Sequence, residues 1–271
     1  MFRRKPAVAG SFYPSNPHRL GEMIDSYLGE AKGGAAGDVV GIVSPHAGYV
    51  YSGPVAAYSF KRIDPKVTSV VVLAPSHRAR FNGAAILPEG VYETPLGDVE
   101  IDAEIGGKLK EKEYFAPLKE AHEMEHSLEV QVPFLQKVLD DFTIVPVIVG
   151  TVDLDVCRGI AGGIAGALAG EKRKTVIVMS TDLSHYHSYE QAKTLDGRFM
   201  EALGTFDEEK VAGLLSSGRA EACGEGPVLT GMVLCKTLGA KKVEMLKYMN
   251  SGDTAGGKDQ VVGYLAAAFV R

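Results

Sequence analysis

The sequence predicts an α/β fold: a single domain with a largely parallel central sheet and helices on both of its faces. Two observations carry this prediction. Short runs rich in Val and Ile alternate with longer segments of helical periodicity. The runs are apolar on both faces, which is typical of parallel strands buried between two layers of helices. Because the 271 residues contain no repeat, linker or low-complexity segment, we expect one domain over residues 1–271.

The elements follow from periodicity in chain order. Strands are predicted at residues 39–43, 70–73, 144–149, 176–179, 243–249 and 261–269. Helices are predicted at residues 17–29, 53–61, 127–139, 155–168, 189–203, 208–215 and 227–238. Pro146 has no N–H to donate, so its strand is expected to be irregular there or to lie at a sheet edge. Turn residues between about 82 and 102 predict a β-hairpin.

Composition excludes several classes of protein. Charged residues make up 23% and hydrophobic residues 45% of the chain, which is typical of an ordered globular protein. The formal net charge is −5 and no long basic run occurs, so no nucleic-acid partner is expected. The most apolar stretch, residues 160–169, is roughly half the length that spans a bilayer, so no membrane association is expected. Three cysteines without a CxxC pair, and no recognisable export signal, indicate the cytoplasm.

Three of the predicted strands are followed closely by a histidine. His46, His77 and His185 each lie in a turn-rich segment just after a strand. In a parallel sheet the carboxyl ends of the strands meet at one crevice, so these side chains are expected to converge. Neutral imidazole is the commonest metal ligand in proteins. The pattern therefore predicts a metal site, and the alternative is a hydrogen-bonded histidine cluster without metal.

Cys223 lies just before the helix predicted at 227–238. A thiol near a helix N-terminus has a lowered pKa and favours the thiolate, which binds metals or attacks electrophiles. Cys157 and Cys235 fall within apolar helical patterns and are predicted to be buried hydrophobic residues.

The segment His122-Glu123-Met124-Glu125-His126 matches the HExxH motif of zinc proteases. That motif requires one continuous helix, but the apolar periodicity begins only at Leu128, with Ser127 as the expected N-cap. We therefore place the motif in a loop and do not favour a protease. His126 is expected to reach the crevice as an acid or base, and His122 is expected to be solvated.

Six short motifs together resemble the Memo family in order and spacing over nearly the whole chain. They are AGSFY at 9–13, PHAGY at 45–49 with SG at 52–53, PSH at 75–77, EHSLE at 125–129, STDLSH at 180–185 and CG at 223–224. The eukaryotic founder of that family is named as a mediator of receptor-driven cell motility, and this sequence is similar to its prokaryotic members.

The resemblance implies a fold similar to class III extradiol ring-cleaving dioxygenases, which use a non-haem Fe(II) centre. It implies that His46, His77 and Cys223 are metal ligands and that Asp182 and His185 line the same pocket. Phe12 stands where the eukaryotic protein has Trp, which keeps an apolar pocket wall. By association, it also implies a radical-SAM protein and an AMMECR-type domain protein as partners.

A thiolate in place of a carboxylate is the main departure from the dioxygenase ligand pattern. Sulfur is the softer donor, so the site should prefer Fe(II), Cu(I) or Zn to Mg or Mn, and it should oxidise more easily. Ring cleavage is therefore not assumed.

Three functions fit these residues. The first is a metal-dependent redox enzyme with Fe(II) or Cu(I), or else Zn, in which His185 or His126 moves protons and Asp182 orients a histidine or water. The second is a binding or adaptor module for a small-molecule or peptide ligand. The third is a cofactor-free thiol enzyme with Cys223 as nucleophile and a histidine as base. Phe12 and Tyr49 are the expected substrate-binding residues.

Overall fold

The computed structural model of the chain describes residues 2–36 and 38–271. Its strands are β1 (Arg3–Arg4), β2 (Val39–Ser44), β3 (Ser69–Pro75), β4 (Ala84–Ile86), β5 (Val91–Thr94), β6 (Gly97–Glu100), β7 (Phe115–Ala116), β8 (Thr143–Val149), β9 (Thr175–Ser180), β10 (His185–His187), β11 (Lys242–Asn250) and β12 (Val261–Val270). Its helices are α1 (Pro17–Glu30), α2 (Tyr49–Phe60), α3 (Ala103–Lys110), α4 (Glu120–Glu123), α5 (His126–Glu129), α6 (Val132–Val138), α7 (Leu154–Ala167), α8 (Tyr189–Gly204), α9 (Glu208–Ser216), α10 (Glu225–Thr237) and α11 (Ser251–Thr254).

The main sheet has the strand order β10-β12-β2-β9-β3-β8-β4-β7, and β11 also pairs with β12. The four central strands, β2, β9, β3 and β8, are parallel to one another. Antiparallel pairs flank them, because β12 runs against β2 and β11, and β4 runs against β8. The predicted α/β fold is confirmed, with the correction that the sheet is mixed. Only residues 251–260 join β11 to β12, which is shorter than a parallel crossover requires.

Both faces of the sheet are covered by apolar cores. In β3, Val71 and Leu73 point into the core on one face, whereas Val70 and Val72 point into the core on the other. Helices α7 and α10 contribute to the first core and helices α1 and α2 to the second. The central strands are therefore buried on both sides, as their continuous apolar runs predict.

Pro146 lies inside the sheet and not at its edge, because β8 pairs with β3 on one side and β4 on the other. On the β4 side the ladder begins at Val147, and Ile144 makes an isolated bridge to Ile101. Pro146 falls between these two pairings. Of the two expectations, the irregular pairing is correct and the edge position is wrong.

Two of the other differences from the predicted elements concern helices. The helix predicted at 127–139 is divided into α5 and α6, and Pro133 lies in the first turn of α6, where its missing N–H costs little. The helix α3, which contains two glycines, was not predicted; Asp102 caps it by accepting a hydrogen bond from the Ile105 N–H. The predicted hairpin is confirmed in β5 and β6, which form a second sheet with β1.

Within residues 2–36 and 38–271, no helix is both long and apolar enough to cross a membrane.

Candidate metal centre

Three histidines meet where the central strands end. His46 follows β2, His77 follows β3, and His126 begins α5. The ring centroids of His77 and His126 are 4.8 Å apart and nearly parallel, and the His46 ring meets both edge-on at 5.2 and 5.5 Å. The predicted convergence is therefore observed for His46 and His77, and His126 reaches the same crevice.

One ring nitrogen from each of these histidines lies within 4.8 Å of the others, so the three can hold a metal ion. Cys223 is not part of that set. Its Sγ lies 3.1 Å from Nε2 of His46, so the thiol adjoins the cluster through a single histidine.

Hydrogen bonding shows which nitrogen of His46 is free. Nδ1 of His46 lies 2.8 Å from Oγ of Ser180, and that hydroxyl donates to the Ser127 carbonyl at 2.7 Å. Gln131 Nε2 also donates to the same Oγ. Because the Ser180 proton is already used, Oγ must accept from His46 Nδ1. Nε2 then keeps its lone pair, which faces Cys223.

Glu125 supports the other two rings. Its Oε1 lies 2.9 Å from Nδ1 of His77 and 3.4 Å from Nδ1 of His126. Since a carboxylate accepts hydrogen bonds, Nδ1 of His77 is the donor and Nε2 is left with a lone pair. Metal-binding histidines commonly have such a carboxylate on the second nitrogen.

Burial keeps two of these imidazoles neutral. Burial lowers the pKa of His46 well below its ordinary value, and the neighbouring histidines lower it further. Burial also lowers the pKa of His126 to about 4. Burial alone would raise the pKa of Glu125, but its bonds and charge interaction with His77 and its bond from the Ser127 N–H lower it to about 2. Neutral imidazole beside an ionised carboxylate is the form that binds a metal.

Asp182 and His185 lie at the edge of the cluster. Oδ1 of the buried Asp182 accepts a hydrogen bond from the backbone N–H of His46 at 2.7 Å, and burial raises its pKa to about 6. Asp182 therefore orients the backbone of His46 and not its ring. His185 donates from Nδ1 to the Leu183 carbonyl at 2.7 Å, which leaves its Nε2 as an acceptor.

The environment of Cys223 corrects one expectation from the sequence. Burial raises the pKa of the Cys223 thiol well above its usual range, and the nearby carboxylate of Asp182 raises it further. Helix α10 begins only at Glu225, so Cys223 precedes its N-cap, Gly224. The helix terminus therefore does not activate the thiol as predicted. Cys157 and Cys235 are buried, as predicted.

A cavity of about 500 Å³ opens beside the histidines. The described residues that line it include Phe12, Tyr51, His126, Asp182, His185, Tyr186 and Tyr264, and they include no Lys or Arg. The Phe12 ring packs on His126 with centroids 4.9 Å apart. Tyr49 lies elsewhere: its ring is 2% exposed and its hydroxyl donates to the Val130 carbonyl. The prediction of Tyr49 is therefore wrong, and Tyr51 is a tyrosine that lines the cavity.

Comparison with known proteins agrees with the motifs that surround this centre. A family model described as "Memo-like protein" matches residues 4–268 of the chain.

The chain belongs to the Memo family.

Relatives named MEMO1 family protein cover almost the full length of the chain. The protein of Nitrosopumilus maritimus is 38% identical over 98% of this chain and 99% of its own length. The protein of Methanopyrus kandleri is 38% identical over 99% of each chain. The protein of Methanothermobacter thermautotrophicus is 35% identical over 96% of this chain and 98% of its own length.

The HExxH segment of this Memo-family protein does not form the single helix that the protease motif requires. Helices α4 and α5 are separate, so the motif does not lie on one continuous helix, and the N-cap of α5 is Glu125 and not Ser127. His122 is fully buried, which corrects the expectation that it is solvated. Its Nε2 donates to the Ala85 carbonyl and its Nδ1 accepts from the Tyr92 hydroxyl. Burial lowers its pKa to about 3.

The sequence did not predict the residues whose hydrogen bonds hold the histidines of the candidate metal centre. Ser180, Gln131 and Glu125 act through hydrogen bonds that join positions far apart in the chain. The buried ion pair of Arg4 and Glu129 was missed as well. The available signal was the pair of glutamates in the EHSLE motif, four residues apart and next to a candidate histidine.

Proposed function

We propose that this Memo-family protein is a metal-dependent redox enzyme related to the class III extradiol dioxygenases. His46 and His77 would hold Fe(II) or Cu(I), with Zn as the alternative. Cys223 is the third ligand that the family resemblance implies, and His126 is the third nitrogen donor that the geometry favours. The observation that carries the proposal is the set of three imidazole nitrogens within 4.8 Å of one another.

The donor set fits such a metal. Imidazole nitrogen suits Fe, Cu and Zn, and a neighbouring thiol adds a soft donor that disfavours Mg, Ca and Mn. The hydrogen bonds at Nδ1 of His46 and His77 leave a lone pair on Nε2 of each ring, and the one on His46 faces the Cys223 thiol. Burial also keeps His46 and His126 neutral, so the metal displaces no proton from either ring.

The remaining residues supply binding and proton transfer. A bound metal would provide Lewis acidity and electron transfer at the cluster. Nε2 of His185 can accept a proton from a ligand in the cavity, and Asp182, with a pKa of about 6, can hold one near neutral pH. Phe12 and Tyr51 provide the apolar and aromatic wall. The aromatic lining favours a planar or aromatic small molecule.

Metal content tests the proposal. The protein is purified without a histidine tag, loaded anaerobically with Fe(II) or Cu(I), and analysed by plasma mass spectrometry. The wild type is expected to bind metal stoichiometrically, and His46→Ala is expected to lose it. Loss of metal in Cys223→Ser or in His126→Ala decides which of the two residues is the third ligand. Absence of metal after loading, or full loading of His46→Ala, would overturn the proposal.

A thiol enzyme is the second candidate, because Cys223 Sγ lies 3.1 Å from Nε2 of His46. The raised pKa of the thiol opposes it. Alkylation by iodoacetamide at pH 7, with and without metal, distinguishes the two. Rapid modification of Cys223 that metal does not suppress would favour the thiol enzyme, and modification that metal suppresses would favour the metal centre.

A binding experiment tests the adaptor role and the partners that the family resemblance implies. Tyr186, at the cavity mouth, is 70% exposed and offers a contact surface. Co-purification with a radical-SAM protein and an AMMECR-type protein from the same genome should yield a complex if this surface binds them. No complex at micromolar concentration would count against the adaptor role.

A further inference from the structure

The carboxylate of Glu125 touches two histidines of the cluster. We propose that Glu125 is the positioning residue that turns Nε2 of His77, and with it the stacked ring of His126, toward the metal. This inference rests on the proposed function, because it assigns the orientation of ligands at the same centre.

The contacts of Glu125 leave His77 little freedom. Oε2 accepts the backbone N–H of His77 at 2.6 Å, and Oε1 faces its ring Nδ1 at 2.9 Å. One carboxylate thus holds both the main chain and the side chain of the same residue. His77 follows β3 in a loop and its side chain is 31% exposed, so packing alone does not fix the ring.

The same carboxylate is itself fixed in place. Its Oε1 also accepts the N–H of Ser127 and so caps α5, the helix that begins with His126. The backbone carbonyl of Glu125 accepts a hydrogen bond from the buried Arg4 at 2.6 Å. Glu125 is 1% exposed. A ligand pair supported in this way is preorganised, since its rings are oriented before the metal arrives.

The chemistry of an amide shows why the carboxylate is needed. Gln at position 125 offers one acceptor oxygen and one NH₂ donor. In one orientation the amide oxygen accepts the His77 backbone N–H and the NH₂ group faces Nδ1, so His77 would carry its proton on Nε2 and block the atom that binds the metal. In the other orientation the oxygen accepts from Nδ1 and the NH₂ group faces the His77 backbone N–H, so no orientation of the amide serves both groups of His77.

Glu129 provides a matched control. It is a second fully buried glutamate on the same short helix, but its carboxylate contacts Arg4, the Ala7 and Val8 N–H groups and the Tyr13 hydroxyl. None of these contacts involves a histidine. Glu129→Gln therefore reproduces the loss of a buried charge without changing the acceptor of His77.

The first experiment assigns the histidine tautomers of the metal-free wild-type protein by ¹⁵N NMR. His77 is expected to carry its proton on Nδ1. The Nε2–H tautomer at His77 in the wild type would overturn the inference, and this readout does not require that any variant folds.

The second experiment compares Glu125→Gln, Glu125→Asp and Glu129→Gln. Binding of Co(II) is measured by chelator competition and by its visible spectrum, and tautomers are measured again without metal. Glu125→Gln should lose about 10- to 100-fold in affinity and change the His77 tautomer, and Glu125→Asp should recover part of both. Glu129→Gln should keep the His77 tautomer of the wild type, because Glu129 makes no contact with that ring.

The outcomes separate the two proposals. If the wild type binds no metal, the proposed function fails, and the tautomer of His77 still decides the role of Glu125. If the wild type binds metal and Glu125→Gln keeps both its affinity and the Nδ1–H tautomer, the positioning role is wrong and the proposed function stands.

Discussion

Two histidines of the centre, His46 and His77, and the neighbouring His185 are each held through Nδ1, and the acceptor differs from ring to ring. His46 donates to the Ser180 hydroxyl, His77 to the Glu125 carboxylate and His185 to a backbone carbonyl. These acceptors leave Nε2 free in all three rings. The chemistry of the site is therefore decided by residues that would not contact a metal.

Ser180→Ala tests this at His46. The variant removes the acceptor of Nδ1, so the His46 ring loses its fixed tautomer and metal affinity should fall about 10-fold. Competition with a chelator measures the loss. The matched control is Ser69→Ala, because Ser69 is also fully buried and its hydroxyl has no hydrogen-bond partner among the described residues. An equal loss in both variants would contradict the role of Ser180.

The buried His122 predicts a dependence of stability on pH. Its pKa is lowered from 6.5 to about 3, so below pH 6.5 the unfolded chain binds a proton that the folded chain does not. Stability is then fully present above pH 6.5 and falls as the pH approaches 3, by roughly 1.4 kcal/mol per pH unit from this group. The free energy of unfolding is measured with urea at several pH values between 4.5 and 7.5. As the pH is lowered, it should fall less steeply for His122→Gln than for the wild type. Identical slopes would show that His122 is not the buried neutral group described here.

The N-terminal segment is held against α5 by a buried ion pair. Arg4 pairs with Glu129, both side chains are fully buried, and Arg4 also donates to the His122 and Glu125 carbonyls. Glu129 in turn accepts from the Tyr13 hydroxyl. This pair joins β1, α4 and α5, so the helix that carries His126 is held from behind.

Arg4→Met tests the contribution of this buried ion pair to stability. The variant leaves the Glu129 carboxylate buried without its cation, and stability should fall by about 3–5 kcal/mol. The double variant with Glu129→Gln should lose less than the sum of the single losses. Arg3→Met is the control, because Arg3 is half exposed and forms surface pairs with Glu93 and Asp98. Urea denaturation measures the wild type, the two single variants, the double variant and Arg3→Met. A loss from Arg3→Met as large as from Arg4→Met would refute the assignment.

Strong periodicity predicted the α/β architecture and its parallel centre, but it did not predict the antiparallel strands that flank that centre. The runs that became β2, β3, β8 and β9 are apolar on both faces, and parallel packing brought His46 and His77 to one end of the sheet. The contacts of Glu125 and Ser180 could not be predicted, because they join residues 48 and 134 positions apart. The burial of His122 was missed because its partners Tyr92 and Ala85 come from other segments.

Metal binding should be visible in the stability of the whole chain. A ligand that binds only the folded state stabilises it by about 2.7 kcal/mol at a free concentration 100 times its Kd. Differential scanning calorimetry with anaerobic Fe(II) or Cu(I) should therefore show a raised Tm for the wild type and none for His46→Ala. A similar rise in both proteins would place the binding outside this centre.

The antiparallel pairing of β12 with β2 has a consequence for biosynthesis. His46, His77 and His126 all belong to the first half of the sequence, whereas Val262 and Tyr264, which line the cavity, belong to β12. Residues are added from the N-terminus, so a nascent chain carries the nitrogen ligands well before the wall that shields them exists. One edge of β2 also stays open until residue 270 has emerged from the ribosome. His46 and His77 are brought together only when β9 takes its place between β2 and β3, so metal that arrives before then meets separate histidines, whereas metal that enters the folded protein must pass through the cavity.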